Sequence, residues 1–518
     1  MTAPRRATRT VATRTVATRT VATRTVAAVD LGAESGRVAA VCFDGSTLTL
    51  DVAHRFSHGP RVRDGLLRWD LATLRAGVRH GLAVLDGGGV AVSSVGVDTW
   101  GVDYALRGAD GELVDEPTCY RDDRQRSGMA SAVRAVGAAE LYRATGVQLI
   151  PINTLFGLVS DVREHPRRLA AATGLLMMPD LFHYLLAGAV TSEYTIASTT
   201  GALDMRTGRW ATGLTERLGI PTRLLPEVVS PGTELGPLRG DHSGGLRGCR
   251  VIVPAAHDTA SAVVAAPFRA PGSVFISSGT WSLVGVESDR PWVTEDARRA
   301  NLTNEGGYAG TIRLLSNVMG LWLLQECRRQ WAREGTELSY ARIAELAAAE
   351  PGLVSLVNPD CTDFLGPGDM PRRIRDYCAR SGQPVPDGVG ALARCVIDSL
   401  ALGYRRVVES VAAITGAAPP AVHIVGGGSG HTLLCQLTAD ATGLPVHAGP
   451  GEATALGNAA VQLAALGELA GLADIRAVVA ASTEPAEYGP RAGRDWAGAS
   501  ARLTQLTSHD LKVTEDSQ

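Results

Sequence analysis

Lysine is all but missing from this chain. Of 50 basic residues in 518, 49 are arginine, and the one lysine is Lys512. Codon bias toward Arg and Ala accounts for the skew, but the skew still excludes mechanisms. Without an interior lysine there is no GxxxxGK(S/T) phosphate loop and no Schiff-base nucleophile. Net charge is also small, at −3, so the chain as a whole has no pull toward nucleic acid or an anionic membrane. No apolar run reaches the ~18 residues of a membrane span. The cysteines (Cys42, Cys119, Cys249, Cys327, Cys361, Cys378, Cys395, Cys435) form no CxxC and no zinc spacing. They read as reduced thiols packed as small hydrophobes in a cytoplasmic protein. GxGxxG, GxSxG and HExxH are absent, which removes the templates for dinucleotide binding, serine hydrolysis and zinc proteolysis.

What is present begins with a repeat. "ATRTV" occurs four times in succession from Ala7 to Val26, and the first 29 residues carry six Arg and no acid. A basic, Thr-rich leader fits a transit peptide; a tandem repeat fits better a disordered extension ahead of the fold. Beyond it, short β-rich runs alternate with amphipathic helices, the mark of an α/β chain. Asp70 predicts an N-cap, and Leu71, Leu74, Val78, Leu82 and Leu85 follow at spacings of three and four, one helical stripe. The halves echo each other: a strand ends in an acid at Asp30 in "VAAVDLG" and at Asp258 in "VIVPAAHD". The length suits two domains facing one cleft. The expected division is a leader at 1–25, domains at 26–249 and 250–480, and a polar tail at 481–518.

Five stretches could carry chemistry, and each has a plainer alternative. "VDLGAESGR" is either a simple hairpin or a loop whose small residues let backbone N–H groups approach phosphate, with an acid placed for Mg2+. "VFISSGTWSLVGV" repeats that logic in the second half. "HIVGGGSGHT" is either tight helix-on-sheet packing or a helix N-terminus laid against a nucleotide. In "PAAHDTASAVVAA", Asp258 is either a helix cap or a general base. "GVDTWGVDY" sets Trp100 between Asp98 and Asp103, either to grip a polar sugar or as a core Trp near two solvated acids.

Together these stretches resemble a known family. "AVDLGAESGRV", "GVDTWGVDY", "YRD", "MPDLFHYLLAG", "EYTIASTTGALD", "AHDTASAV", "SSGTWSLVG", "NLTNEGG", "NVMGLWLLQE", "HIVGGG" and "GPGEATALGNAAVQL" run in collinear order between Val26 and Ala480. They resemble the rhamnulokinases, sugar kinases of the FGGY group within the actin/hexokinase/Hsp70-like fold. The resemblance implies two ribonuclease-H-like domains around a central cleft, and ATP-dependent phosphorylation of L-rhamnulose at its C1 hydroxyl. It matches Ala33, Glu34, Ser35, Gly36 and Arg37 to the first ATP loop, and Thr280, Gln325 and Gly427 to further ATP positions. Gly101, His257, Asp258, Thr259 and Asn317 match sugar positions, with Asp258 as the catalytic base. Asp30 matches the acid expected near Mg2+, through water. The implied partners are ATP and a small sugar, with no nucleic acid and no membrane, in a monomer or homodimer. A kinase for L-fuculose or a pentulose, and a non-catalytic ATP-binding relative, are the competing readings. Glu34 is unusual, a carboxylate in a phosphate loop that either faces solvent or sits near the metal.

Overall fold

The computed structural model describes residues 23–240 and 242–516, with side chains as far as residue 508. Most of the ATRTV leader lies outside the described residues. Its fourth copy runs into β1 (Arg24–Leu31). Arg24 donates from Nε to Glu468 Oε1 (3.0 Å) and from Nη1 to Ser93 Oγ (3.2 Å), and Thr25 and Val26 are buried. From Val26 onward the strand is buried on both faces, the continuous small-apolar pattern of a strand covered by helices on each side.

β1 pairs antiparallel with β2 (Ser35–Phe43), and β2 with β3 (Leu48–Ser57). On its other edge β1 runs parallel to β4 (Val92–Thr99), and β5 (Glu234–Pro237) and β6 (Arg250–Ile252) complete a six-stranded sheet. The second half repeats the plan. β7 (Val274–Ser278) and β8 (Trp281–Ser288) form a hairpin, extended antiparallel by β10 (Ile312–Met319) and then β9 (Thr303–Gly306). On the other side of β7 lie parallel β11 (Val422–Val425) and β12 (Val446–Ala448), with β13 (Ala486–Tyr488) closing the seven-stranded edge. In each sheet an antiparallel hairpin leads and parallel strands follow beside its first strand, so the two halves are alike, as expected.

Four helices position the site. α1 (Leu71–Gly87) has Asp70 as N-cap, accepting from the Thr73 N–H at 3.1 Å, and buries the Leu71–Leu85 stripe that the spacing predicts. α2 (Asp258–Val264) follows the first sheet, α3 (Trp322–Arg333) follows β10, and α4 (Ala453–Ala465) returns from the second half to lie on β1 and β4. Within an apolar contact with the first sheet, which includes Val26 and Ala28 against Leu456 and Ala460, it carries a buried polar strip. Asn458 Nδ2 donates to Asp98 Oδ2 (2.6 Å), Gln462 Nε2 donates to the Ala27 carbonyl (3.0 Å), and Ser94 Oγ donates to Gln462 Oε1 (2.7 Å). Residues four apart share one helical face, so this face carries both amides, and each finds its partners inside.

Two details differ from the expected division. β6 hydrogen-bonds to β4, so the chain leaves the first sheet after Ile252 and not at residue 250. The strand expected in "VIVPAAHD" is present but belongs to the first sheet, because sequence pattern marks a strand and not its pairing partner. Within the expected polar tail, β13 joins the second sheet, and a helix at Trp496–Asp516 buries Trp496, Ala499 and Leu503.

α2 and α4 touch at Gly457, where an added Cβ would collide with the Ser261 carbonyl. Backbone against backbone cannot yield as a side chain can. Gly457→Ala should cost about 1–3 kcal/mol by overpacking, read as a lower guanidinium unfolding midpoint. An unchanged midpoint would show that the two helices are free to part.

Candidate active site

The sugar-side residues meet where β4 ends. The Thr99 N–H donates to the Ala256 carbonyl (2.9 Å) and the His257 N–H to Thr195 Oγ1 (3.1 Å), fixing the entry to α2. Asp258 is the first residue of that helix. Its Oδ1 accepts from the Thr259 N–H (2.6 Å) and lies 3.4 Å from His257 Nε2. Thr259 Oγ1 also reaches Ser277 Oγ on β7 at 3.3 Å, which ties the acid to the second sheet. Gly101 faces His257: a Cβ there would stand 3.3 Å from Nε2 and from Thr199 Oγ1. The next residue, Val102, has φ 67, a left-handed conformation costly for a β-branched side chain. Thr199 Oγ1, accepting from the Val102 N–H (3.1 Å), and Thr154 Oγ1, donating to its carbonyl (2.5 Å), hold it there. Asn317, on β10, donates from Nδ2 to Gln148 Oε1 (3.1 Å), a contact between the two halves.

Asp258 keeps 29% of its side-chain surface exposed, yet the packed walls of the cleft remove most of its hydration. That desolvation, with help from nearby Asp30 and against the pull of His257, raises its carboxyl above the ordinary value.

The expected phosphate side is a tight hairpin between β1 and β2, so the plainer reading holds as geometry. The Gly32 N–H donates to the Ser35 carbonyl (3.0 Å), and Ala33, Glu34 and Ser35 are half-buried at the turn. Gly36 is buried, and its missing side chain makes room for the Phe56 ring. Arg37 stands opposite Asp30 in the ladder, donates to it through Nε (2.8 Å), and also pairs with Glu452 just ahead of α4. Glu34 neither faces free solvent nor joins the acids: its Oε1 takes Arg329 Nη1 of α3 at 2.9 Å. Thr280 turns the β7–β8 hairpin, and its carbonyl accepts the Trp322 N–H that opens α3 (3.2 Å). Gln325, one turn on, has a buried Oε1 without a partner. After β11, Gly428 is pressed against Ser278 Oγ, whereas a Cβ on Gly427 would meet open space. Tight packing and an open face thus divide that glycine turn between them.

Asp30, Asp98 and Asp258 form an acidic group. Asp30 and Asp98 are partners in the parallel ladder, and Asp98 Oδ1 is buried without a partner. Burial, then Asp30, pushes Asp98 far above the usual carboxylate range. An all-oxygen set suits a hard divalent cation. Among the described residues no group of three or more His, Cys, Asp or Glu that could hold a metal ion is found.

The reading of Asp98 and Asp103 as sugar-gripping or solvated acids is wrong. Asp98 is held by Asn458. Asp103 Oδ2 takes both the Trp69 (2.5 Å) and Trp100 (2.9 Å) indole N–H groups, and burial raises its carboxyl to about 7. Trp100 packs on Trp69 with ring centroids 4.2 Å apart, inside the core. Two buried residues went unsingled, Glu305 and Arg313. The available signal was an arginine inside the apolar strand "TIRLLSNVM".

Comparison with known proteins agrees with this geometry. A model of the FGGY family of carbohydrate kinases, N-terminal domain, matches residues 26–265, and one of the C-terminal domain matches 274–466. The chain is 44% identical over 482 residues to a rhamnulokinase of Pectobacterium carotovorum subsp. carotovorum, covering 93% of this chain and 96% of that one. It is 40% identical over 472 residues to a rhamnulokinase of Bacteroides thetaiotaomicron, covering 90% and 96%. Among solved structures, a gluconate kinase from Lactobacillus acidophilus superposes with TM-score 0.72 at 15% identity, covering 96% of this chain and 98% of that one. A xylulose kinase from Rhodospirillum rubrum gives 0.71 at 20%, covering 95% and 99%. These likenesses carry the two-domain actin-like fold. With both family models matched in order and the relatives aligned almost end to end, the chain belongs to the FGGY family of carbohydrate kinases.

Proposed function

We propose that this chain transfers the γ-phosphoryl group of ATP to the C1 hydroxyl of L-rhamnulose, giving ADP and L-rhamnulose 1-phosphate, in cytoplasmic L-rhamnose catabolism. One observation carries the reading: Asp258 stands at the junction of the two halves, between the hairpins at 31–36 and 278–281, with His257, Gly101 and Thr259 about it. Identity of 44% to a rhamnulokinase over nearly the whole chain supports the ketose.

The acceptor hydroxyl is a poor nucleophile until its proton begins to leave. Asp258 orients it and takes that proton as the oxygen–phosphorus bond forms and the bond to the β-phosphate oxygen breaks. His257 Nε2 and Asn317 fix neighbouring sugar hydroxyls. Backbone N–H groups of both hairpins, with Arg37, receive the phosphates, while Gln325 and the open face at Gly427 receive the nucleoside. Magnesium, when bound, supplies neutralisation of phosphate charge; Asp30, Asp98 and Asp258 would hold it through water. The free cysteines suit a reducing compartment.

Arg329 is already engaged by Glu34 across the cleft, so incoming phosphate competes for it. The pair is about one-third exposed, which limits it to roughly 1 kcal/mol or less. Glu34→Gln should lower the ATP KM up to about fivefold, the factor that ~1 kcal/mol represents, and Arg329→Gln should raise it. Initial rates against ATP decide; unchanged KM values in both would remove Arg329 from the nucleotide site.

For the base, Asp258→Asn should cut kcat by about 10²–10⁴-fold, the usual worth of general base catalysis, with little change in ATP KM. Because the carboxyl is raised in the folded protein, the ionised base is lost as pH falls from a point above the ~3.9 of a free aspartate. A plot of kcat/KM against pH should show that acid limb in the wild type and none in the variant. For the substrate, L-rhamnulose should give kcat/KM at least about tenfold above D-xylulose, gluconate or glycerol, a gap of ~1.4 kcal/mol in transition-state binding. A coupled ADP assay over that panel is the direct test, and a reversed order would reject the ketose.

A further inference from the structure

Behind the sugar-side residues lies a buried ion pair that phosphoryl transfer does not itself require. Glu305 on β9 and Arg313 on β10 stand directly opposite in the antiparallel ladder, with 3% and 0% of their surface exposed. Arg313 Nε donates to the Gly306 carbonyl (2.9 Å). Its Nη2 is 3.1 Å from Glu305 Oε2 and 3.2 Å from His257 Nδ1. Glu305 Oε2 is in turn 3.3 Å from His257 Nδ1. One carboxylate therefore stands against His257, a residue that the proposed reaction assigns to the sugar.

Burying such a pair is seldom a gain in stability over apolar residues of the same volume. Burial would push the Glu305 carboxyl up, but Arg313 and His257 outweigh it and hold it below its ordinary value, so it stays charged. His257 Nδ1 then faces one donor and one acceptor, and Nε2 is left aimed at Asp258. The charged groups felt by Arg313 are Glu305, Glu193, Asp258 and Glu287. Asp258 is felt in turn by His257 and Asp30.

We propose that Glu305, with Arg313 as its counterion, is a positioning residue for the phosphoryl acceptor: it locks the His257 ring beside the sugar hydroxyls and balances the charge of Arg313 behind Asp258. The inference rests on the reading of Asp258 as the base. Removing the Glu305 charge frees the His257 ring, so the ketose KM rises while the ATP KM holds. A residue that merely held the fold together would move both.

The test is steady-state kinetics of the full chain with L-rhamnulose and ATP over about pH 5.5–9, on Glu305→Gln, Glu305→Asp and Asp258→Asn. Glu305→Gln should raise the L-rhamnulose KM about tenfold and hold the ATP KM within about twofold. Glu305→Asp keeps the charge on a shorter stem, so the ketose KM should rise less than in Glu305→Gln; it carries the test if Glu305→Gln fails to fold. Wild-type ketose KM in either folded variant overturns the proposal, as does an equal rise in both KM values. If Asp258→Asn keeps more than about a third of kcat, the base reading fails and takes this inference with it. If Asp258→Asn is inactive and Glu305→Gln behaves as wild type, the inference alone fails.

Discussion

The cleft depends on one close approach, that of α4 to α2 at Gly457. α2 begins with Asp258, and α4 is fastened to the first sheet by Asn458 and Gln462 and led by Glu452, the partner of Arg37. Backbone contact at Ser261 therefore sets the distance between the proposed base and the first hairpin. Few side-chain rearrangements can alter a separation set by two helix backbones and a buried amide ladder.

Having almost no lysine shapes the electrostatics. Every cation near the hairpins is a guanidinium, a planar fork that takes two acceptors at once. Arg37 holds Asp30 and Glu452 together; Arg329 holds Glu34 and Glu326. The positive charges are thus neutralised in advance, and in the proposed reaction an arriving polyphosphate exchanges partners with carboxylates that are already present. An exchange of this kind keeps the fold from carrying a large uncompensated field while the cleft is empty.

The fold was largely legible because its signals are local. The strand at Asp30, the Leu71–Leu85 stripe and the small-residue turns are each local and stand where the patterns put them; the strand expected to end in Asp258 stops at Ile252 in the first sheet, and Asp258 opens a helix instead. The site was legible to the extent that its residues are neighbours in sequence, as His257, Asp258 and Thr259 are. What stayed hidden was tertiary. Nothing near Glu34 announces Arg329, 295 positions away, and nothing in "GVDTWGVDY" tells that Asp103 faces two indoles instead of a sugar. The strand in "VIVPAAHD" is visible but its partner in the first sheet is not, and the Trp496 helix is hard to see because its apolar face is sparse.

The repeat that opens the sequence has a further consequence. Its last copy reaches the sheet, where Arg24 clasps Glu468 and Thr25 and Val26 enter the core. Whichever copy stands last presents the same Arg-Thr-Val to the same partners. Adding or removing one five-residue unit therefore leaves β1 with an identical beginning.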